Sequence, residues 1–286
     1  MTQAHQAAAL PLARPSAGER LAGPLDALGA HWPEYLMEAW GLGTFMVSAG
    51  VFGTLLFHPA SPVAQAIPDP LALRALMGVL MGLTAVAIIY SPWGRQSGAH
   101  LNPAVTLTFL RLGKVRPWDA LFYVLAQAAG GTLGVLLVST ALGPLFRDPP
   151  VAYVATVPGE AGVTVALIAE TLISLVLMTV VLLASNTPRL MRLTGVFAGL
   201  LVALFITVEA PLSGMSMNPA RSLASALPGG LWQAFWVYLV GPPLGMLLAA
   251  ELYRAVRRTP EVVCAKLVHH THRRCIFRCG YAHKEP

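Results

Sequence analysis

The chain has 286 residues, of which 56% are hydrophobic and 11% charged, and its mean hydropathy is +0.64. Soluble domains carry about 25% charged residues, so a soluble enzyme or binding module is excluded and an integral membrane protein is expected. The formal net charge of +6 raises nucleic acid as a partner, but the basic residues collect in the tails and in alternate loops, a placement that points to membrane topology instead.

A membrane-spanning helix needs about 20 apolar residues. Residues 1–32 read as a cytoplasmic tail. No positively charged region directly precedes the first apolar stretch, so no cleaved signal peptide is expected. Spanning helices are predicted over Pro33–Phe57, Leu71–Tyr90, Trp118–Leu142, Val163–Ala184, Leu193–Ala210 and Trp232–Val256. Trp32, Trp93, Trp118 and Trp232 fall near helix ends, where an aromatic belt belongs. Residues 259–286 form a basic tail. When alternate loops are assigned to one side, that side collects 16 of the 19 Lys and Arg, leaving Arg74, Arg147 and Arg221. The positive-inside rule then places both termini in the cytoplasm of a cell membrane, plasma or inner, in agreement with an even number of spans.

One phrase occurs twice. Ser97-Gly98-Ala99-His100-Leu101-Asn102-Pro103-Ala104-Val105-Thr106-Leu107 follows the second span, and Ser213-Gly214-Met215-Ser216-Met217-Asn218-Pro219-Ala220-Arg221-Ser222-Leu223 follows the fifth. Each half also carries an early carboxylate in its first span, Glu38 and Glu170. Three spans per repeat is odd, so repeats over about 33–142 and 163–258 must lie inverted in the bilayer, with the functional site near the midplane between them.

The phrase describes the start of a helix. Asn is a preferred N-cap, Pro suits the first helical position, and Ser-Gly supplies a tight turn before them. The apolar runs that follow, Val105–Leu110 ended by Arg111 and Ser222–Leu227 ended by Pro228, are too short to span and predict re-entrant half-helices. Irregular backbone at membrane depth must be buried in protein or line a watery cavity. The half-helices are therefore expected to meet N-terminus to N-terminus, with carbonyls of the preceding strands laddering a pore. Gly130, Gly131, Gly134, Gly195, Gly199, Gly241 and Gly245 read either as sites of close helix approach or as ordinary packing.

The duplicated phrase, Arg221 behind its second copy and the paired Glu38 and Glu170 resemble the aquaporin family of major intrinsic proteins, over roughly Pro33 to Arg258. The resemblance implies an all-α membrane fold of six tilted helices and two half-helices, a pore through each subunit and a homotetramer. It implies that Asn102 and Asn218 donate amide N–H groups to passing water while Pro103, Ala104, Pro219 and Ala220 complete the caps. It places Arg221 at an extracellular constriction with Ile206, Met215 and Met81, a gapless count giving Gly82 in place of Met81. His100 is implied to line the cytoplasmic half, a pH gate being a second reading, and Glu38 and Glu170 to hold the re-entrant loops.

Water-selective members pair the Arg with His and Phe, and glycerol facilitators have aromatic constrictions and an Asp after the Arg. This chain has aliphatic walls, and Ser222 after Arg221. The expected function is a passive channel for water, and for glycerol or other small neutral solutes, that excludes ions and protons. Half a charge at each half-helix start repels a cation about 5 Å away by roughly 3 kcal/mol at an effective dielectric of 20. That is about two decades, so lost hydration must supply the rest of the exclusion. The alternative is an ion-coupled secondary transporter using the two Glu and Arg221. An enzyme is not expected, since neither His-Glu-x-x-His nor Gly-x-Ser-x-Gly occurs. No cofactor is expected. In the tail, Cys275-x3-Cys279-x3-His283 resembles a metal spacing without matching a standard zinc pattern. A disordered tail without metal is the reading adopted, and structural disulfides are not expected on the cytoplasmic side.

Overall fold

The computed structural model describes residues 23–256, 259–269 and 273–281. In chain order the main helices are α1 (Pro24–Phe57), α2 (Pro70–Tyr90), α3 (Pro103–Arg111), α4 (Pro117–Leu142), α5 (Val163–Ser185), α6 (Thr194–Val208), α7 (Pro219–Gly229) and α8 (Trp236–Ala255). Six are long and apolar enough to cross a membrane, α6 with the short turn before it. The half-helices α3 and α7 have 9 and 11 residues. No strand occurs among the described residues.

Local chemistry sets the boundaries. Proline opens α1, α2, α3, α4 and α7, where its missing N–H leaves no bond unmade. Asp69 caps α2 by accepting from the Leu71 N–H at 3.0 Å. Two expectations are corrected. The first span begins at Pro24 rather than Pro33, because Pro24 occupies the first helical position and the Gly23 N–H donates to the Asp26 carboxylate at 3.2 Å. Nor does α7 stop at Pro228. It runs to Gly229 and ends where Gly230 adopts a left-handed φ of 65° and donates its N–H to Ala226.

The packing repeats with the halves exchanged. α1 lies along α4 and α5 along α8, while α2 lies along α6 of the other half. Each half-helix rests on the third span of the opposite repeat, α3 on α8 and α7 on α4. These crossings are closest at glycine. A Cβ at Gly130 would collide with the Ala39 carbonyl, one at Gly134 with Gly43, and one at Gly245 with Thr171. Gly199 meets Gly82 backbone to backbone in the same way. Contact between backbones is what drives helix association in lipid, where leucine gains nothing by leaving the tails. Leu83, Leu133 and Leu200 accordingly face outward, each more than half exposed.

Gly130→Val and Gly245→Val should each lower the thermal unfolding midpoint of the detergent-solubilised protein, the overpacking costing at least about 1–3 kcal/mol. Gly29→Ala, where an added Cβ meets nothing within 4 Å, should leave the midpoint unchanged or raise it slightly.

Candidate functional site

The two Asn-Pro-Ala phrases meet head to head. The Asn102 Oδ1 accepts from the Ala104 N–H at 2.8 Å, and the Asn218 Oδ1 accepts from Ala220 and Arg221 at 3.0 and 3.2 Å. The amide nitrogens cross over. Asn102 Nδ2 donates to the Met217 carbonyl at 2.7 Å, and Asn218 Nδ2 donates to the Leu101 carbonyl at 2.7 Å. A primary amide has two N–H donors. One on each Asn therefore ties the repeats together, and the second is left for the cavity that both side chains line.

The strands before the caps are held in an uncommon shape. Ala99, Leu101, Met215 and Met217 have φ of 53°, 52°, 52° and 53°, a left-handed region that costs non-glycine residues free energy unless the surroundings impose it. A buried carboxylate imposes it in each half. Glu38 accepts from the His100 N–H at 3.1 Å, the Leu101 N–H at 2.6 Å and the Ser97 hydroxyl at 2.7 Å. Glu170 accepts from the Ser216 N–H, the Met217 N–H and the Ser213 hydroxyl, each at 2.7 Å. Tyr123 and Tyr238 donate to the Ser97 and Ser213 carbonyls at 2.7 and 2.6 Å, and Gln127 adds a bond to Glu38 at 2.8 Å. Each carboxylate oxygen thus already accepts from at least one fixed donor.

A cavity of about 580 Å³ runs past these groups. Away from the termini it is lined by Pro70, Arg74 and Pro150, then by Met81, Ile206, Met215 and Arg221, then by Asn218 and Asn102. Towards the termini it is lined by His100, Leu177, Val181 and Leu267. Of the two second-helix alternatives, Met81 lines the cavity, whereas Gly82 faces the Gly199 backbone. The Arg221 guanidinium donates to the Val154 carbonyl at 2.7 Å, so the loop between α4 and α5 holds it against the cavity wall. Ser222 bonds Thr156 of that loop at 2.7 Å and Ser216 at 2.6 Å.

At the other mouth the structure corrects the expectation of a disordered tail. His100 bonds Thr106 at 3.0 Å through Nδ1 and the Ala265 carbonyl at 2.8 Å through Nε2. Its ring stacks between Phe109 and Phe277, at 5.3 and 5.2 Å between centroids. Leu267 donates its N–H to the Gly98 carbonyl at 3.1 Å. Lys266 is buried, its ammonium donating to the Arg274 carbonyl at 2.5 Å. The side chains that could ligate a metal are not the three that the spacing picked out. Cys264, His269, Cys275 and Cys279 bring their ligand atoms within 4.8 Å of one another. This set replaces Cys275, Cys279 and His283, the last of which lies outside the described residues. The Cys279 thiol is held far below its ordinary pKa, first by hydrogen bonds from Cys264 and Cys275 and then from His269, while donation to its neighbours and then burial raise Cys264.

Sequence reasoning did not single out Gln127, the tyrosine pair, Val154, Ala265, Leu267 or Phe277. The tyrosines had a signal, one early in the last span of each half. The rest act through backbone atoms or through contacts distant in sequence, which leave no local pattern.

The comparisons with known proteins agree with this architecture. The family described as Major intrinsic protein matches residues 32–253. The "Putative aquaporin NIP4-1" of Arabidopsis thaliana is 40% identical over 185 residues, 64% of this chain and 63% of the relative. The "Probable aquaporin NIP-type" of Nicotiana alata is 39% identical over 186 residues, 64% of this chain and 66% of the relative. The match thus spans a little under two thirds of each of these relatives. "Aquaporin NIP1-1" of Arabidopsis thaliana is 32% identical over 206 residues, covering 71% of this chain and 69% of the relative. The X-ray structure of the aquaglyceroporin from Plasmodium falciparum superposes with a TM-score of 0.63 at 21% identity, covering 79% of this chain and 96% of that one. A family match reaching from the first span to the last puts the chain in the major intrinsic protein family.

Proposed function

We propose that the chain is a passive, uncoupled channel, not an enzyme, that passes water and small neutral solutes and rejects ions and protons. The observation that carries this reading is the crossed asparagine pair lining the cavity. Each amide keeps one N–H for the lumen while the strand carbonyls offer acceptors on either side. A water accepting from both asparagines is oriented away from its neighbours, which interrupts a proton wire.

Ion rejection has three contributors. The half-helices point their positive ends at the same midplane, Arg221 adds a full charge, and a narrow lumen strips hydration from ions. Met81, Ile206, Met215 and Arg221 form the selectivity filter, with His100 lining the opposite half. Three walls of that filter are aliphatic and two are flexible methionines, so glycerol-sized neutral solutes are substrates alongside water. The distribution of Lys and Arg supports cytoplasmic termini in a cell membrane. The family likeness supports a homotetramer with a pore in each subunit.

In proteoliposomes under a sucrose gradient, stopped-flow light scattering should record shrinkage several-fold faster than in empty vesicles. A rate equal to that of empty vesicles, from metal-stripped as from untreated protein, would sink the channel reading. Glycerol should re-enter quickly, and collapsing ion and proton gradients should leave both fluxes unchanged.

Arg221→Ala removes a charge about 5 Å from the permeant, worth roughly 3 kcal/mol at an effective dielectric of 20. Cation or proton conductance in planar bilayers should rise by up to about two decades, and an unchanged conductance would remove Arg221 from the filter.

Glu170→Gln places an amide N–H against fixed N–H donors. Each unsatisfied donor costs about 1–3 kcal/mol, so water flux and the unfolding midpoint should fall together. A variant with full flux and lost ion coupling would point to a transporter instead.

A further inference from the structure

We propose that Cys264, His269, Cys275 and Cys279 bind one zinc ion, and that this ion fastens the C-terminal segment across the pore mouth beside His100. The closing part of the inference rests on the channel reading above, whereas the metal site does not.

The donor set comes first. Three thiols and one imidazole lie with their ligand atoms within 4.8 Å of one another. Two of the edges are 3.5 Å, between the sulfurs of Cys264 and Cys275, and 3.2 Å, between the Cys279 sulfur and His269 Nε2. A tetrahedral zinc with bonds of about 2.3 Å to sulfur and about 2.1 Å to nitrogen has edges of roughly 3.7 Å, so the ion fits with small side-chain adjustments. Soft thiolates with one imidazole suit zinc rather than calcium or magnesium. Four protein ligands leave no open position, which marks a structural site. The spacing Cys-x4-His-x5-Cys-x3-Cys is not that of a standard finger, so folding is needed to bring the ligands together.

Placement of the ligands gives the site its purpose. Ala265 and Leu267, which bond His100 and Gly98, lie between Cys264 and His269. Phe277, which stacks on His100, lies between Cys275 and Cys279. Each stretch that touches the pore mouth is thus pinned at both ends by a ligand pair. Elsewhere the segment buries Val262, Val268 and Ile276 in the main apolar core and adds polar contacts, the Val263 N–H to Asn186 at 2.8 Å and the Arg278 N–H to the Lys114 carbonyl at 2.9 Å among them. It contains no helix or strand among its described residues. A zinc ion between the two arms would add a cross-link to this packing.

The test uses the full-length protein. Reduced, metal-stripped protein titrated with cobalt(II) should develop the visible and thiolate charge-transfer bands of a tetrahedral site, saturating at one equivalent per chain. Purified protein should carry one zinc per chain, and C275S/C279S close to none. No thiolate–cobalt bands, or undiminished zinc in the double variant, would overturn the site. Trypsin should cut after Lys266 and Arg274 several-fold faster once metal is removed, and an unchanged rate would overturn the fastening. In proteoliposomes, stripping zinc should raise water flux several-fold in the wild type and leave C275S/C279S at the raised level. Equal flux with and without zinc, above that of empty vesicles, would overturn closure while leaving the channel intact. Vesicle-level flux in every state, with zinc bound normally, would instead overturn the channel reading and leave the metal site standing.

Discussion

A backbone N–H within a bilayer has no water to turn to, and that constraint organises this molecule. Two strands enter the membrane as irregular chain, with four non-glycine residues at positive φ. Their inward carbonyls are usable only because their outward N–H groups are satisfied elsewhere. Glu38 and Glu170 do this, each accepting two backbone N–H groups and a serine hydroxyl. Burying a carboxyl group is costly unless it is hydrogen-bonded, and both oxygens of each are. The strands that line the cavity therefore depend on a pair of carboxyl groups that do not line it.

Once the strands are fixed, the half-helices follow. Asn-Pro caps each helix, and crossing of the asparagine amides locks the two caps together. Neither half can complete its own cap region, since each amide's partner carbonyl belongs to the other repeat. The same exchange appears in the packing of α3 on α8 and α7 on α4. The halves interlock at every level, which explains why glycines cluster where α1 crosses α4 and α5 crosses α8. Rigid close crossings hold the caps in register.

Much of this was legible in the sequence, and the reason is symmetry. A duplicated phrase of small and capping residues encodes a local conformation, and matching Glu38 and Glu170 point to a shared support. Features that break the symmetry were harder to read. The choice between Met81 and Gly82 depended on a connection, Ser91 to Gln96, whose length could not be judged from residue types. Pro33 looked like a helix start, although Pro24 with Asp26 makes a better one. The tail was read as disordered because its ligands follow no regular spacing and its contacts with Gly98, His100 and Lys114 fall more than a hundred positions away.

Comparison of the two mouths gives that tail a place in the fold. At one mouth Gly214 is covered by Thr156 and Val157, and the same loop reaches Ser222 and Arg221. At the other, Gly98 is covered by Lys266 and Phe277, and the same segment reaches His100. Both turns are roofed by irregular chain in equivalent positions. The first roof is the loop between α4 and α5, tethered by a spanning helix at each end. The second follows α8 and crosses the mouth as irregular chain, with Cys264 and His269 on one arm and Cys275 and Cys279 on the other. A metal held by those four side chains would tie the two arms to each other. The roof at this mouth would then depend on a ligand, whereas the loop between α4 and α5 depends only on its own hydrogen bonds to Ser222 and Arg221.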